Sequence, residues 1–163
     1  MSFRDILSEN IQSAHFLLTT YLSDFSDQDL LKRPVPNANH TAWQLGHLII
    51  STNGMLNGIN APGVPTLPDG FEAAHKKDKA SENDAAKFFS KEQYLNLFAQ
   101  QKACALSVIA TIDESELDKP GPEAVRAYCP TVRSVLLLSG SHITMHIGQF
   151  VVSRRSLGKP ILM

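Results

Sequence analysis

The chain has little that would tie its fold covalently or suit it to a charged partner. Among its 163 residues there are only two cysteines, Cys104 and Cys129. They form no C-x-x-C pair and are too few for a disulfide framework. Free thiols of this kind fit a cytoplasmic protein. No sign of charge dominates: fifteen Lys and Arg stand against sixteen Asp and Glu, a formal net charge of −1. Without a basic excess there is no electrostatic footprint for nucleic acid. No apolar run approaches the ~20 residues of a membrane span. The start of the chain is charged and amphipathic and lacks the basic-then-apolar layout of a secretory signal. Neither nucleic acid nor membrane is therefore expected as a partner. Strand-like alternation, internal repeats and low-complexity segments are all missing.

What remains is helical periodicity. Residues 3–23 repeat Phe3, Ile6, Leu7, Ala14, Leu17, Leu18, Tyr21 and Leu22 at the 3.6-residue period, with Ser2 as N-cap and Asp5 in the first turn. A short further turn is expected around Ser26 and Asp29 before Pro34 and Pro36. A second helix spans 42–57, with Thr41 and Gln44 at capping-box spacing. A third spans 91–112 behind Ser90 and Gln93, at the same spacing. A fourth spans 132–157 behind Thr131 and stops at Gly158 before Pro160. Residues 58–89 hold Pro62, Gly63, Pro65, Pro68 and Gly70 and show no apolar period, so they read as a long connection with at most a short helix. The fold class expected is all-α: one domain over 1–163, a four-helix bundle with a long connection between helices two and three.

The chemistry-bearing residues are histidines. His142 and His146 are four apart in the fourth helix, which puts them one turn apart on one face. Such a pair can share a metal ion, each giving a ring nitrogen at ~2.0–2.1 Å. The spacing alone is common by chance, and a buried histidine bonded to a carbonyl is its ordinary alternative. His47, in the apolar second helix, adds weight, because packing that helix on the fourth would complete a three-histidine site with open positions. The His47 face continues through Ser51, Gly54 and Gly58. These small residues suit either a cavity beside the site or a close helix approach. Gln149 falls near the His142 face, and His40, outside the second helix, would line the mouth. Ser51, Gly54, Gln149 and His40 are thus the substrate-pocket candidates. His15 has no partner at helical spacing, His75 lies in the polar connection, and Arg154 and Arg155 suit the helix dipole.

The pair is not the H-E-x-x-H of a metalloprotease, since the position of the glutamate is taken by Ile143, followed by Thr144. Nor do the inner faces offer the carboxylates of a di-iron bundle. Three neutral ligands would leave one ion with its full charge, able to lower the pKa of a bound water or thiol.

At Asn39-His40-Thr41-Ala42-Trp43-Gln44-Leu45-Gly46-His47-Leu48, and at His142-x-x-x-His146-Ile147-Gly148-Gln149 running to Lys159-Pro160, the chain resembles the DinB-like (YfiT-like) family of candidate metalloenzymes. The likeness covers essentially the whole chain in order. It implies a four-helix bundle, frequent homodimers, and a divalent metal held by His47, His142 and His146. It also implies a thiol S-transferase or isomerase chemistry using a low-molecular-weight thiol, although many relatives have no known substrate. The expected function is a metal-dependent thiol S-transferase acting on small electrophiles, with zinc or nickel as the ion. The alternatives are a metal-dependent hydrolase, a non-catalytic metal or small-ligand binding protein, or a bundle with buried histidines and no ligand.

Overall fold

Each long helix starts where a side chain can satisfy its first free N–H groups. The structure, a computed structural model, describes residues 2–162. The first helix, α1, is Phe3–Leu22; the Ser2 hydroxyl accepts from the Asp5 N–H while the Asp5 carboxylate accepts from the Ser2 N–H. A short α2 follows at Asp27–Leu30, then α3 at Thr41–Gly58, a single turn α4 at Phe71–Ala74, and α5 at Lys91–Thr111. A further turn, α6, is Glu114–Leu117, and the longest helix, α7, is Val132–Ser156. Helix α5 begins with the expected capping pair, Ser90 with Gln93, and α7 with the expected N-cap Thr131, which pairs with Ser134. No strand occurs among the described residues, only one isolated bridge between Pro120 and Thr131.

The expected capping box on the second helix is not what forms. His40 is the N-cap of α3, its Nδ1 accepting the Trp43 N–H at 3.1 Å. Thr41 is already helical, and Gln44 is free to act elsewhere. An imidazole nitrogen does here what a serine hydroxyl ordinarily does.

The four long helices pack in a ring: α1 lies against α5 and α7, and α3 lies against the same two. Asn10 donates to the Leu137 carbonyl at 2.9 Å, and Arg154 to the Tyr21 carbonyl at 2.8 Å, so α1 and α7 run in the same direction. Arg4 reaches the Ala110 carbonyl while Lys91 reaches that of Phe25, so α1 and α5 are antiparallel. Tyr94, near the start of α5, bonds His75, which lies against Gly46, and Gln101 donates to the Ile49 carbonyl at 2.7 Å. Helices α3 and α5 are therefore parallel. Consecutive parallel helices need a crossover that returns the length of the first, ~27 Å for 18 residues. This is the physical reason for the long connection between them.

That connection is not a loose loop. Phe71 and His75 are buried, and the His75 Nε2 sits 2.7 Å from the Tyr94 hydroxyl while its Nδ1 sits 2.8 Å from the Phe71 carbonyl. His75 was expected in a polar setting; instead its ring lies so close to α3 that a Cβ on Gly46 would meet it at 2.0 Å. Arg33 pins the same segment by donating to the carbonyls of Ala80 and Glu82, and ties it to the loop before α3 by donating to that of Ala38.

Two large apolar clusters fill the ring, beside a small one of Met55, Cys129 and Val135. One holds Leu18, Phe25, Leu45, Leu48, Phe98, Ile143, Ile147 and Phe150, and the other holds Leu7, Ile11, Leu56, Val108 and Leu136. By length and composition α7 could cross a membrane, which the reading of apolar runs did not anticipate. Here it packs between α1 and α3 and buries Arg154, 2% exposed, in an ion pair with Asp24. Arg154 is thus more than a helix-dipole partner, since it ties the end of α7 to the turn after α1.

Candidate metal centre

His47 on α3 meets His142 and His146 on α7 because the two helices run antiparallel and touch near their middles. The ring centroids are 5.4 Å apart for His47 and His142, 5.4 Å for His47 and His146, and 5.0 Å for His142 and His146. Each ring offers one nitrogen, and these three atoms lie within 4.8 Å of one another. One ion with bonds of ~2.0–2.1 Å can draw in such a set by small side-chain rotations.

The protonation state also suits a ligand set. Burial pushes all three imidazoles below their ordinary pKa. His146, 9% exposed, falls furthest, to about 4, first through desolvation and then through its two histidine neighbours. Lys77 adds to the depression at His47, and His47 adds to that at His142. All three are neutral near pH 7, the state in which a lone pair is available to a metal.

Two neighbours on α3 set the rings. The Gln44 Nε2 donates to the Asn39 carbonyl at 3.0 Å, which fixes the amide so that its Oε1 faces the His146 Nδ1 at 2.9 Å. His146 must then carry its proton on Nδ1, leaving the Nε2 lone pair free. Such outer partners fix tautomer and ring orientation in metal sites. Trp43 stacks on His47, with centroids 5.2 Å apart and planes 6° from parallel, and its indole N–H donates to the Lys76 carbonyl. Both were readable in principle, since Trp43 and Gln44 precede His47 by four and three residues and share its face. Gln44 was instead given a capping role.

A cavity of about 470 Å³ opens beside His142. Ser51 and Gly54 are among the residues that line it. A Cβ on Gly54 would meet nothing within 4 Å, so this glycine leaves space and does not serve close helix packing. Gly58 does serve packing, because a Cβ there would strike Pro122 at 2.6 Å. The other two pocket candidates lie elsewhere. His40 is fully buried, with its Nε2 3.1 Å from the Glu82 carbonyl, and cannot line a mouth. Gln149 is exposed on α7 and is not part of the cavity wall. The outer wall comes from Pro122, Ala124, Val125 and Tyr128, in the loop before α7. No periodicity in the sequence marks these residues.

Replacing Gln44 by Ala is expected to weaken divalent-metal binding roughly 10- to 100-fold, while Gln44→Glu retains or tightens it. The chain's single tryptophan provides the readout. Because Trp43 stacks on His47, binding of Cu²⁺ or Ni²⁺ should quench its emission. An unchanged dissociation constant in Gln44→Ala would remove Gln44 from the site.

The DinB superfamily model matches residues 12–150. Among solved structures, that of a conserved protein from Enterococcus faecalis aligns with a TM-score of 0.71 at 21% identity, covering 98% of this chain and 99% of that one. At that identity the likeness speaks for the fold. No curated protein matches the chain.

Proposed function

Since this chain belongs to the DinB superfamily, a match running through residues 12–150, we propose that it is a metal-dependent thiol S-transferase acting on small electrophiles. The observation that carries the reading is the convergence of three neutral histidine nitrogens beside an open cavity. His47, His142 and His146 would hold a divalent ion, for which we favour zinc or nickel, the imidazole set being suited to both. When bound, that ion would supply positive charge that lowers the pKa of a thiol, favouring the nucleophilic thiolate.

The chain's own residues do the rest. Gln44 holds the His146 tautomer, Trp43 holds the His47 ring, and the cavity beside His142 receives the electrophile. In the reaction the S–H bond of the thiol breaks and an S–C bond forms. With a haloaromatic the C–X bond breaks, and the proton and X⁻ leave to solvent. With an epoxide the broken bond is a ring C–O bond, whose oxygen takes up the proton. With a maleate-type alkene the C=C π bond is lost, and the second carbon takes up the proton. Neither α3 nor α7 contains an Asp or Glu, so neither brings a carboxylate base for activating water. This favours transfer over a hydrolase with a built-in base. A protein that only held a metal ion would not need a cavity of ligand size against one of its metal ligands. The reading carries with it a cytoplasmic homodimer with a small-molecule substrate.

The test is a panel of low-molecular-weight thiols with haloaromatic, epoxide and maleate-type electrophiles, run with and without metal. Expected is metal-dependent thioether formation, lost in His142→Ala. Metal-dependent ester or amide hydrolysis without thiol, and no transfer with any thiol, would replace this reading with a metallohydrolase.

A further inference from the structure

We propose that the cavity beside His142 is built for an uncharged apolar molecule of one or two rings. This names the electrophile class for the function above and rests on that reading only for its chemistry. The binding itself requires no metal.

The lining is the first ground. Met55, Pro122, Ala124, Val125, Leu138 and Met145 supply an apolar surface, and the polar atoms come from Ser51, Tyr128 and His142. No charged side chain lines the cavity. In the metal-free protein an anionic or cationic ligand entering it would lose hydration without gaining a charged partner. An uncharged ring system loses little and gains apolar contact on several sides.

The volume is the second ground. An apolar cavity of about 150 Å³ accepts benzene. About 470 Å³ is roughly three times that, enough for a fused or linked pair of rings together with the group that reacts.

The wall is preformed. The Gly121 N–H donates to the Pro130 carbonyl at 2.9 Å, and the Val132 N–H to the Lys119 carbonyl at 3.0 Å, closing the loop at its base. Arg126 donates across it to the Gly121 carbonyl at 2.8 Å. Pro122 rests on Gly58. The apolar side chains of this loop are therefore held over the cavity without a ligand.

Gly54 is the last ground. It sits inside α3, where glycine costs about 1 kcal/mol relative to alanine. Its φ is not positive and no neighbour approaches its Cβ position. Neither backbone conformation nor packing calls for glycine there. What its missing side chain provides is cavity space.

The test uses metal-free protein at about pH 8 and two probes on one skeleton, naphthalene-2-methanol and naphthalene-2-carboxylate, with binding read by equilibrium dialysis. The neutral probe should bind at least about tenfold more tightly than the anion. Gly54→Leu should weaken the neutral probe by at least about tenfold while leaving Ni²⁺ quenching of Trp43 in place. This variant should fold, because leucine is the better helix former and its side chain enters open space. Equal binding of the two probes, no binding of the neutral probe, or full binding to Gly54→Leu would each overturn the proposal. A protein that binds the neutral probe but no metal would instead overturn the function proposed above and leave the cavity's preference standing.

Discussion

Taking the metal-free protein from about pH 7 to about pH 4.5 is expected to lower its melting midpoint by roughly 10–20 °C. The cause is histidines that the fold keeps neutral. His15 is 7% exposed, its ring edge-on to Phe98, and burial with a contribution from Lys102 takes its pKa to about 4. His40 is fully buried and also falls to about 4, chiefly by desolvation. Its chemistry points the same way. The Nδ1 accepts the Trp43 N–H, so the proton sits on Nε2 facing the Glu82 carbonyl. A second proton on Nδ1 would face another N–H and break the cap of α3. In the unfolded chain both histidines titrate near 6.5. Between about 6.5 and about 4 the unfolded state therefore binds protons that the folded state refuses. Stability is complete above about pH 6.5 and is lost as pH falls toward about 4. Each histidine contributes about 1.4 kcal/mol per pH unit, so the two lose roughly 5 kcal/mol over two units. His146, also at about 4 in the metal-free protein, and His47, His75 and His142, lowered by burial as well, add in the same direction. Thermal melts followed by circular dichroism across this range check it. A midpoint independent of pH down to about 4.5 would refute neutral burial of these side chains.

Divalent metal at one hundred times its dissociation constant is expected to stabilise the fold by ~2.7 kcal/mol, or roughly 5–10 °C in the melting midpoint. The ligands sit on α3 and α7, so an ion would join two of the four long helices. It binds only where those helices are packed, which makes its binding energy a folding energy. His142→Ala should abolish the response. His142 is half-buried, so truncating it disturbs the core less than truncating His146, and the variant should still melt cooperatively. His15→Ala, on α1, should keep the full metal response. Superimposable melts with and without metal, for protein shown to be metal-free at the start, would count against the centre.

The four long helices were legible to within a residue at each end because each carries a local signal. Ser2 with Asp5, Ser90 with Gln93, and Thr131 with Ser134 are all close in sequence, and each caps its own helix. The one cap misread, at α3, uses His40, a residue type whose capping role no common pattern records. His75 was misplaced for a similar reason. It stands among Lys76, Lys77 and Lys79, and only its contact with Tyr94, nineteen positions away, takes it into the core.

For the candidate site the division is equally physical. By itself the sequence determined which side chains share a helix face: His142 with His146, and His47 with Ser51 and Gly54. That follows from the 3.6-residue period and needs no partner. Tertiary structure alone decided that α3 and α7 meet antiparallel at those faces, that Gln44 is set against His146 across 102 positions, and that the loop carrying Pro122, Val125 and Tyr128 closes the cavity. Those contacts join residues far apart in the chain. Their geometry is set by how the whole ring of helices packs, a property that no local window of sequence contains.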